Sequence, residues 1–311
     1  MAATAVAALA GLPAGIPPRV RDLAFLLLGI SIGSSATPES VAQMAAWPGS
    51  LLLLAISVVT TLTVTAVYLE RVHRWDRTTA RFSAMPGAFS TVVVLAAAST
   101  ADLPRVVLAQ SIRIFTLVGL MPPILALVGN GAGTTSAALA PVTLGPLASL
   151  LVIAAGGLLA TAATRLGVPA GVLIGAMVSS AVLHATGLVE GRLPQPLVIG
   201  GFVATGAVIG ARFVGTTLDA VRRTVPGAVA SVMLALSISA AIAAFGRMIL
   251  DLPFGQLWLA YAPGGVEAMA AMALALGLDP AFVGAHHVLR ILGLTLLNPF
   301  WFRFGPRQPP E

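Results

Sequence analysis

The sequence predicts an all-α polytopic membrane protein: two inverted repeats holding about nine spanning helices, plus two helices interrupted by Pro-Gly that re-enter or break. Three observations predict it. Hydrophobic residues make up 58% of the chain and charged residues only 9%, too little polar surface to cover a soluble globule of 311 residues. Apolar runs recur at 51–69, 147–164, 168–186, 197–211, 225–245 and 282–300, each near the roughly 20 residues that cross about 30 Å of hydrocarbon. Finally, sliding residues 81–123 onto 258–300 at an offset of 177 gives eleven identities without a gap. Pro86/Pro263, Gly87/Gly264, Asp102/Asp279, Arg113/Arg290 and Pro122/Pro299 are among them, residue types that shared hydrophobicity does not explain. The chain is an internal duplication.

Residues 1–12 are apolar but make a helix of only roughly 18 Å. No basic residue precedes them, as a signal peptide requires, so a partial helix is expected. After Pro13, Pro17 and Pro18, Asp22 is expected to cap a helix from Leu23 to about Thr37. That helix carries Gly29-x-x-x-Gly33, and the second copy carries Gly206-x-x-x-Gly210 at the same offset. Small residues one turn apart let helix backbones approach closely in lipid, so the matched pairs predict a packing seam. The span at 51–69 ends in the dense charge cluster Glu70 to Arg77. Asp102 and Asp279, each just before a helix start with Pro in its first turn, read as N-terminal caps.

The division expected is a first repeat at 1–123, an uncharged linker at 124–146, a second repeat at 147–303 and a polar tail at 304–311. At the offset of 177, residues 147–177 have no counterpart, so the first repeat lacks its first helix. A further apolar run encoded upstream is expected to supply it.

Orientation depends on the segments around the two Pro-Gly elements. If 76–100 and 253–277 dip in and return on one side, each complete half crosses five times and the copies are inverted. The loop arginines then divide 13 against 2, whereas full crossing divides them 10 against 5. Positive residues concentrate on the cytoplasmic side, which favours inversion and a cytoplasmic C-terminus. A broken helix that crosses stays open as the alternative.

Pro removes a backbone donor and Gly permits unusual dihedrals, so Pro86-Gly87 and Pro263-Gly264-Gly265 each interrupt a helix at membrane depth. Such breaks persist only where protein or a wet cavity satisfies the freed groups, and paired breaks in inverted halves form the binding sites of secondary transporters. Arg113 and Arg290 each lie eleven residues beyond their capping aspartates, near mid-bilayer. A guanidinium there is costly unless paired. Either each bonds the carbonyls of the broken helix, with Arg290 also able to pair with Glu267, or one or both bind an anion beside helix N-termini. Glu267, replaced by Ser90 in the first copy, reads equally as a proton-coupling group or as an ordinary first-turn acid.

The paired patterns around Pro86-Gly87 and Pro263-Gly264-Gly265, continued by Gln110-Ser111-Ile112-Arg113 and His287-Val288-Leu289-Arg290, resemble the AbrB family of bacterial integral membrane proteins. Its members carry labels such as regulator of gene expression or ammonia monooxygenase, and neither label follows from these residues. Ala88 and Ser90 weaken the first motif, and His287 stands where Gln110 stands in the other copy. The resemblance implies a bacterial inner-membrane location, which the lysine-free, Arg- and Ala-rich usage also suits.

No enzyme is expected. Neighbouring His286 and His287 point about 100° apart on a helix and share one ion poorly; pore-lining or core roles fit them better, with His287 a candidate for titration. No metal, cofactor or nucleic-acid partner is expected, since the arginines are scattered through loops without interleaved aromatics. The partners implied are the lipid bilayer and a small anionic solute, with a coupling proton or cation and a homo-oligomer left open. The function expected is secondary transport by alternating access, with a membrane sensor that influences gene expression indirectly as the alternative.

Overall fold

The computed structural model describes residues 1–36, 47–86, 89–97, 99–128, 142–168 and 170–302. Thirteen α-helices occur among them, and no strand. The protein is an all-α polytopic membrane protein, five of whose helices are by themselves long and apolar enough to cross a bilayer. In the first half, α1 (Ala2–Leu9), α2 (Pro18–Gly33) and α3 (Trp47–Arg71) lead into two short helices, α4 (Arg77–Ala84) and α5 (Phe89–Ala97), then α6 (Leu103–Leu127). In the second, α7 (Pro146–Arg165), α8 (Gly171–Ala185), α9 (Gln195–Gly210) and α10 (Leu218–Leu250) precede the short α11 (Phe254–Tyr261) and α12 (Val266–Ala275), then α13 (Pro280–Phe302). Adding 177 to the bounds of α2 gives those of α9, and adding it to α4 gives α11. The duplication is therefore written in the element boundaries as well as in the residues.

Local chemistry sets most helix starts. Proline occupies the first turn of α2, α6, α7 and α9, where its missing donor costs nothing. Asp102 accepts from Arg105 N at 3.1 Å, and Asp279 accepts from Ala281 N at 2.9 Å and Phe282 N at 3.1 Å, so both act as caps. Asp22 does not: α2 begins at Pro18, which places Asp22 inside the helix paired with Arg21 at 2.8 Å. The helix α6 also runs on through Pro122 and Pro123 to Leu127, past the boundary at 123 expected for the first repeat.

The two halves are inverted, and the helices α3 and α10 show it directly. They are equivalent by the offset of 177, yet they pack side by side in opposite directions. A Cβ on Gly49 would meet Leu250 at 2.9 Å, one on Gly246 would meet Leu53 at 3.0 Å, and one on Gly227 would meet Trp75 at 3.1 Å and His73 at 3.2 Å. As the residue number rises along α3 it falls along α10, an antiparallel register.

The glycine pairs form the seam expected of them, twice over. Helix α2 runs parallel to α8, and a Cβ on Gly33 would strike Met177 O, Ser180 Cβ and Ala181 N. Helix α9 runs parallel to α1, and a Cβ on Gly210 would strike Met1 O, Thr4 Cβ and Ala5 N, the same three kinds of atom. The close approach lets Ser180 Oγ donate across the interface to Ile30 O at 2.8 Å. In lipid, where apolar side chains gain little by leaving the bilayer for one another, such backbone proximity carries the association. Gly33→Leu is expected to lower thermal stability in detergent by about 2 kcal/mol through overpacking against backbone. Gly157→Ala, with nothing within 4 Å of its added carbon, is expected to leave the melting temperature unchanged.

The Pro-Gly segments re-enter and do not cross. Along α6, Gln110 bonds Phe82 O at 2.7 Å and Arg113 bonds Met85 O at 3.0 Å, so α4 and α6 run in the same direction. Since α6 follows the segment, its first arm must start beside the end of its second arm. It does: Asp102 N donates to Thr79 Oγ1 at 2.8 Å. Along α13, His287 bonds Leu259 O at 2.9 Å and Arg290 bonds Ala262 O at 2.6 Å, the same parallel register with α11. Each half therefore contributes a hairpin that dips in and returns, and inversion sends the two in from opposite faces.

Candidate functional site

At the tip of each hairpin the first arm ends in carbonyls with no helical partner. The arginine from the following helix answers them. Arg113 Nη1 donates to Met85 O at 3.0 Å and its Nη2 to Gln110 Oε1 at 2.6 Å, while Gln110 Nε2 donates to Phe82 O and to Met85 O at 2.7 and 3.1 Å. Arg290 Nη1 donates to Ala262 O at 2.6 Å and its Nη2 to Gly264 O. His287 Nε2 donates to Leu259 O, the equivalent of Phe82 O. A carbonyl only accepts, so this contact places the ring proton on Nε2. His287 thus does the work of Gln110, which is why a histidine stands there. The ring is fully buried, with Nε2–H committed to Leu259 O and Nδ1 without a partner among the described residues, a structural role that a glutamine can share, so His287→Gln is expected to fold with a near-native melting temperature.

His286 is likewise a core group. Its Nδ1 contacts Phe282 O at 2.8 Å and its Nε2 contacts Ser50 Oγ at 2.9 Å, and Ser50 Oγ lies 3.0 Å from Tyr261 Oη. This buried network ties α3 to the second hairpin.

A cavity of about 580 Å³ opens between the hairpins. From the first half it is lined by Phe89, Arg113 and Ile114, and from the second by Val208, Arg212, Val266, Glu267 and Ile291. Ile114 and Ile291 are equivalent by the offset, as are Phe89 and Val266, so the cavity sits where the two repeats meet. Arg21 and Asp22 stand at its mouth, beside the end of α7 and the start of α8. That mouth lies on the face where α3 ends at Arg71 and α10 begins near Arg222 and Arg223, the arginine-rich face.

The expected site residues distribute unevenly around it. Arg113 is 6% exposed and reaches the cavity, and its Nε–H has no hydrogen-bond partner among the described residues. Arg290 is 4% exposed and lies outside the lining, its Nη groups held by hairpin carbonyls. Pro86, Pro263 and Gly264 are buried at the tips, and Gly265 lines the wall. A Cβ on Gly265 would meet the Glu267 carboxylate at 3.0 Å, so the bare backbone there makes room for that acid. Gly87 and the side chain of Ser90 lie outside the described residues.

Glu267 does not pair with Arg290. Its partner is Arg212, whose Nη2 stands 3.6 Å from Glu267 Oε1. By sequence position Arg212 reads as one of the loop arginines. The structure instead turns it inward on a short 3-10 helix, Ala211–Phe213, directly after α9. Its side chain is 13% exposed, its guanidinium carbon sits 4.5 Å from the centre of the Phe89 ring, and Nη1 has no hydrogen-bond partner among the described residues. One signal is present in the sequence: Arg212 follows the Gly206-x-x-x-Gly210 seam by two residues, too close to its apolar run to reach the bulk solvent freely. Three guanidiniums and two carboxylates line the cavity, leaving one positive charge in a wall of mixed polar and apolar groups.

A family model described as "Transition state regulatory protein AbrB" matches residues 1–305. The chain belongs to the AbrB family. Among similar proteins, the one named "Putative regulator AbrB" of Escherichia coli (strain K12) is 27% identical over 308 residues, covering 96% of this chain and 87% of that protein. The "Uncharacterized protein YhjN" of Bacillus subtilis (strain 168) is 29% identical over 309 residues, covering 92% of this chain and 79% of that protein. No solved structure matches the chain.

Proposed function

We propose that this AbrB-family protein is a secondary transporter of a small anionic solute, working by alternating access between its inverted halves. The observation that carries the reading is the cavity where the two halves meet, lined by Arg113 and Arg212, each of which also keeps a buried guanidinium N–H without a protein partner among the described residues. A buried donor without a partner costs about 1–3 kcal/mol, more when charged, so a site that keeps two of them favours an acceptor from outside. Opposed hairpins meeting around a central site supply what alternating access requires, because exchanging the conformations of the two halves would move the opening to the other face. The arginine-rich face, onto which the cavity opens, is assigned to the cytoplasm of a bacterial inner membrane. No catalytic step is assigned to the site.

A membrane sensor is the second reading, favoured by the regulator name that the Escherichia coli relative carries. The same pocket could serve it. A thermal-shift screen of purified protein against small organic anions tests the site, and uptake of any hit into proteoliposomes separates the readings. Stabilisation that disappears in Arg113→Gln and Arg212→Gln, together with accumulation of the anion, supports transport. Stabilisation unchanged in both variants removes the arginines from the site, and binding without uptake favours the sensor.

A further inference from the structure

The geometry points to a monocarboxylate with an apolar body as the cavity's ligand, and to Glu267 as the group that holds Arg212 until that ligand displaces it. The inference rests on the anion-transport reading above and narrows it. Five observations carry it. The cavity's inner charge is gathered in Arg113, Arg212 and Glu267, while Phe25, Val168, Val172, Leu173 and Val208 present hydrocarbon. A compact inorganic anion would leave that hydrocarbon facing water, whereas an organic acid covers it with its own apolar body. The lining carries one net positive charge, which a single carboxylate neutralises and a dicarboxylate would overshoot.

The Arg212–Glu267 contact is also loose. At 3.6 Å it falls short of a charge-assisted hydrogen bond, which closes to about 2.8 Å. Nη1 of Arg212 and Nε of Arg113 are both left without partners among the described residues. Glu267 is therefore a carboxylate standing near the place a ligand carboxylate would take, without filling it. The Phe89 ring, 4.5 Å from the Arg212 guanidinium carbon, holds that group over the cavity whichever carboxylate it faces. In the absence of ligand, Glu267 lowers the cost of burying Arg212; when ligand binds, the guanidinium exchanges an internal acceptor for a better placed external one.

The test titrates the full-length protein in lipid nanodiscs with hexanoate, benzoate, succinate and inorganic phosphate, followed by calorimetry. Hexanoate or benzoate is expected to bind at least tenfold more tightly than succinate or phosphate, and Arg212→Gln to weaken that binding tenfold or more. Glu267→Gln, which removes the internal competitor, is expected to tighten it severalfold. Should Glu267→Gln not fold, Glu267→Asp serves in its place, since the shorter acid stands farther from Arg212 and should also tighten binding. Weaker binding in the Glu267 variant would make that carboxylate a ligand contact and overturn its displacement. Arg212-dependent binding led by succinate or phosphate would overturn the monocarboxylate while leaving the anion site standing. Binding of none of the four overturns this inference, and the broader anion screen then decides the transporter reading by itself.

Discussion

Arg290→Gln is expected to lower the stability of the protein by about 3 kcal/mol, and to leave anion affinity within about threefold of the native value. The guanidinium donates to two carbonyls, Ala262 O and Gly264 O, on either side of Pro263. A glutamine is too short to reach both, and each charged hydrogen bond lost contributes about 1.5 kcal/mol or more. Removing the buried cation gives back some desolvation, and Ala262 O keeps the Gly264 N–H at 2.8 Å, but Gly264 O loses its charged donor at the tip of a hairpin among buried residues. Affinity should hold because Arg290 lies outside the cavity lining. Arg113→Gln makes the contrast: that residue both bonds Met85 O and lines the cavity, so stability and affinity should fall together. Thermal unfolding in detergent, followed by calorimetric titration of the folded variants, measures both quantities.

Arg212→Gln should have the opposite profile. Anion affinity is expected to drop by on the order of 100-fold, about 2.8 kcal/mol, while the melting temperature changes little. The residue sits on a single 3-10 turn, makes one long ion pair and bonds no hairpin carbonyl among the described residues, so little of the fold depends on it. Its guanidinium, held over the Phe89 ring in the cavity wall, is what the cavity offers an acid. Arg212→Lys keeps the charge but not the planar fork, and is expected to recover only part of the loss. A binding curve for Arg212→Gln that overlays the native one would remove this arginine from the site.

The repeat structure was legible in the sequence because its signal lies in residues with sharp geometric demands. Proline, glycine, a capping aspartate and a buried arginine do not recur at matched spacing through hydrophobicity alone, and the arginine distribution carried the inversion that the antiparallel register of α3 and α10 displays. Re-entry of the Pro-Gly segments was legible only through the same arginine count, since 25 residues are long enough to re-enter or to cross; the register of Gln110 and Arg113 against α4 decides it. At the site, the sequence puts Arg113 and Arg290 on equal terms because the duplication makes them equivalent. The structure breaks that symmetry, since the cavity opens to one face and only the first arginine reaches it. Arg212 and Glu267 meet across 55 positions of sequence, one after α9 and the other at the start of α12, and no local pattern joins them. The sequence reads His287 first as a pore-lining or core group, but it cannot show the ring N–H aimed at Leu259 O that gives this residue its place in the fold.

Two hairpins entering the membrane from opposite faces are what bring the halves together around one cavity. The chain has no cysteine, so single cysteines can report position without background. Thr100→Cys, just after the first hairpin, and Ala275→Cys, at the end of the second, both replace exposed residues. In sealed vesicles of known orientation, a membrane-impermeant maleimide is expected to label the Thr100→Cys protein from the same face as a His73→Cys protein, and the Ala275→Cys protein only from the other. Labelling of both hairpin variants from one face would contradict the inverted hairpins, and with them the shared cavity.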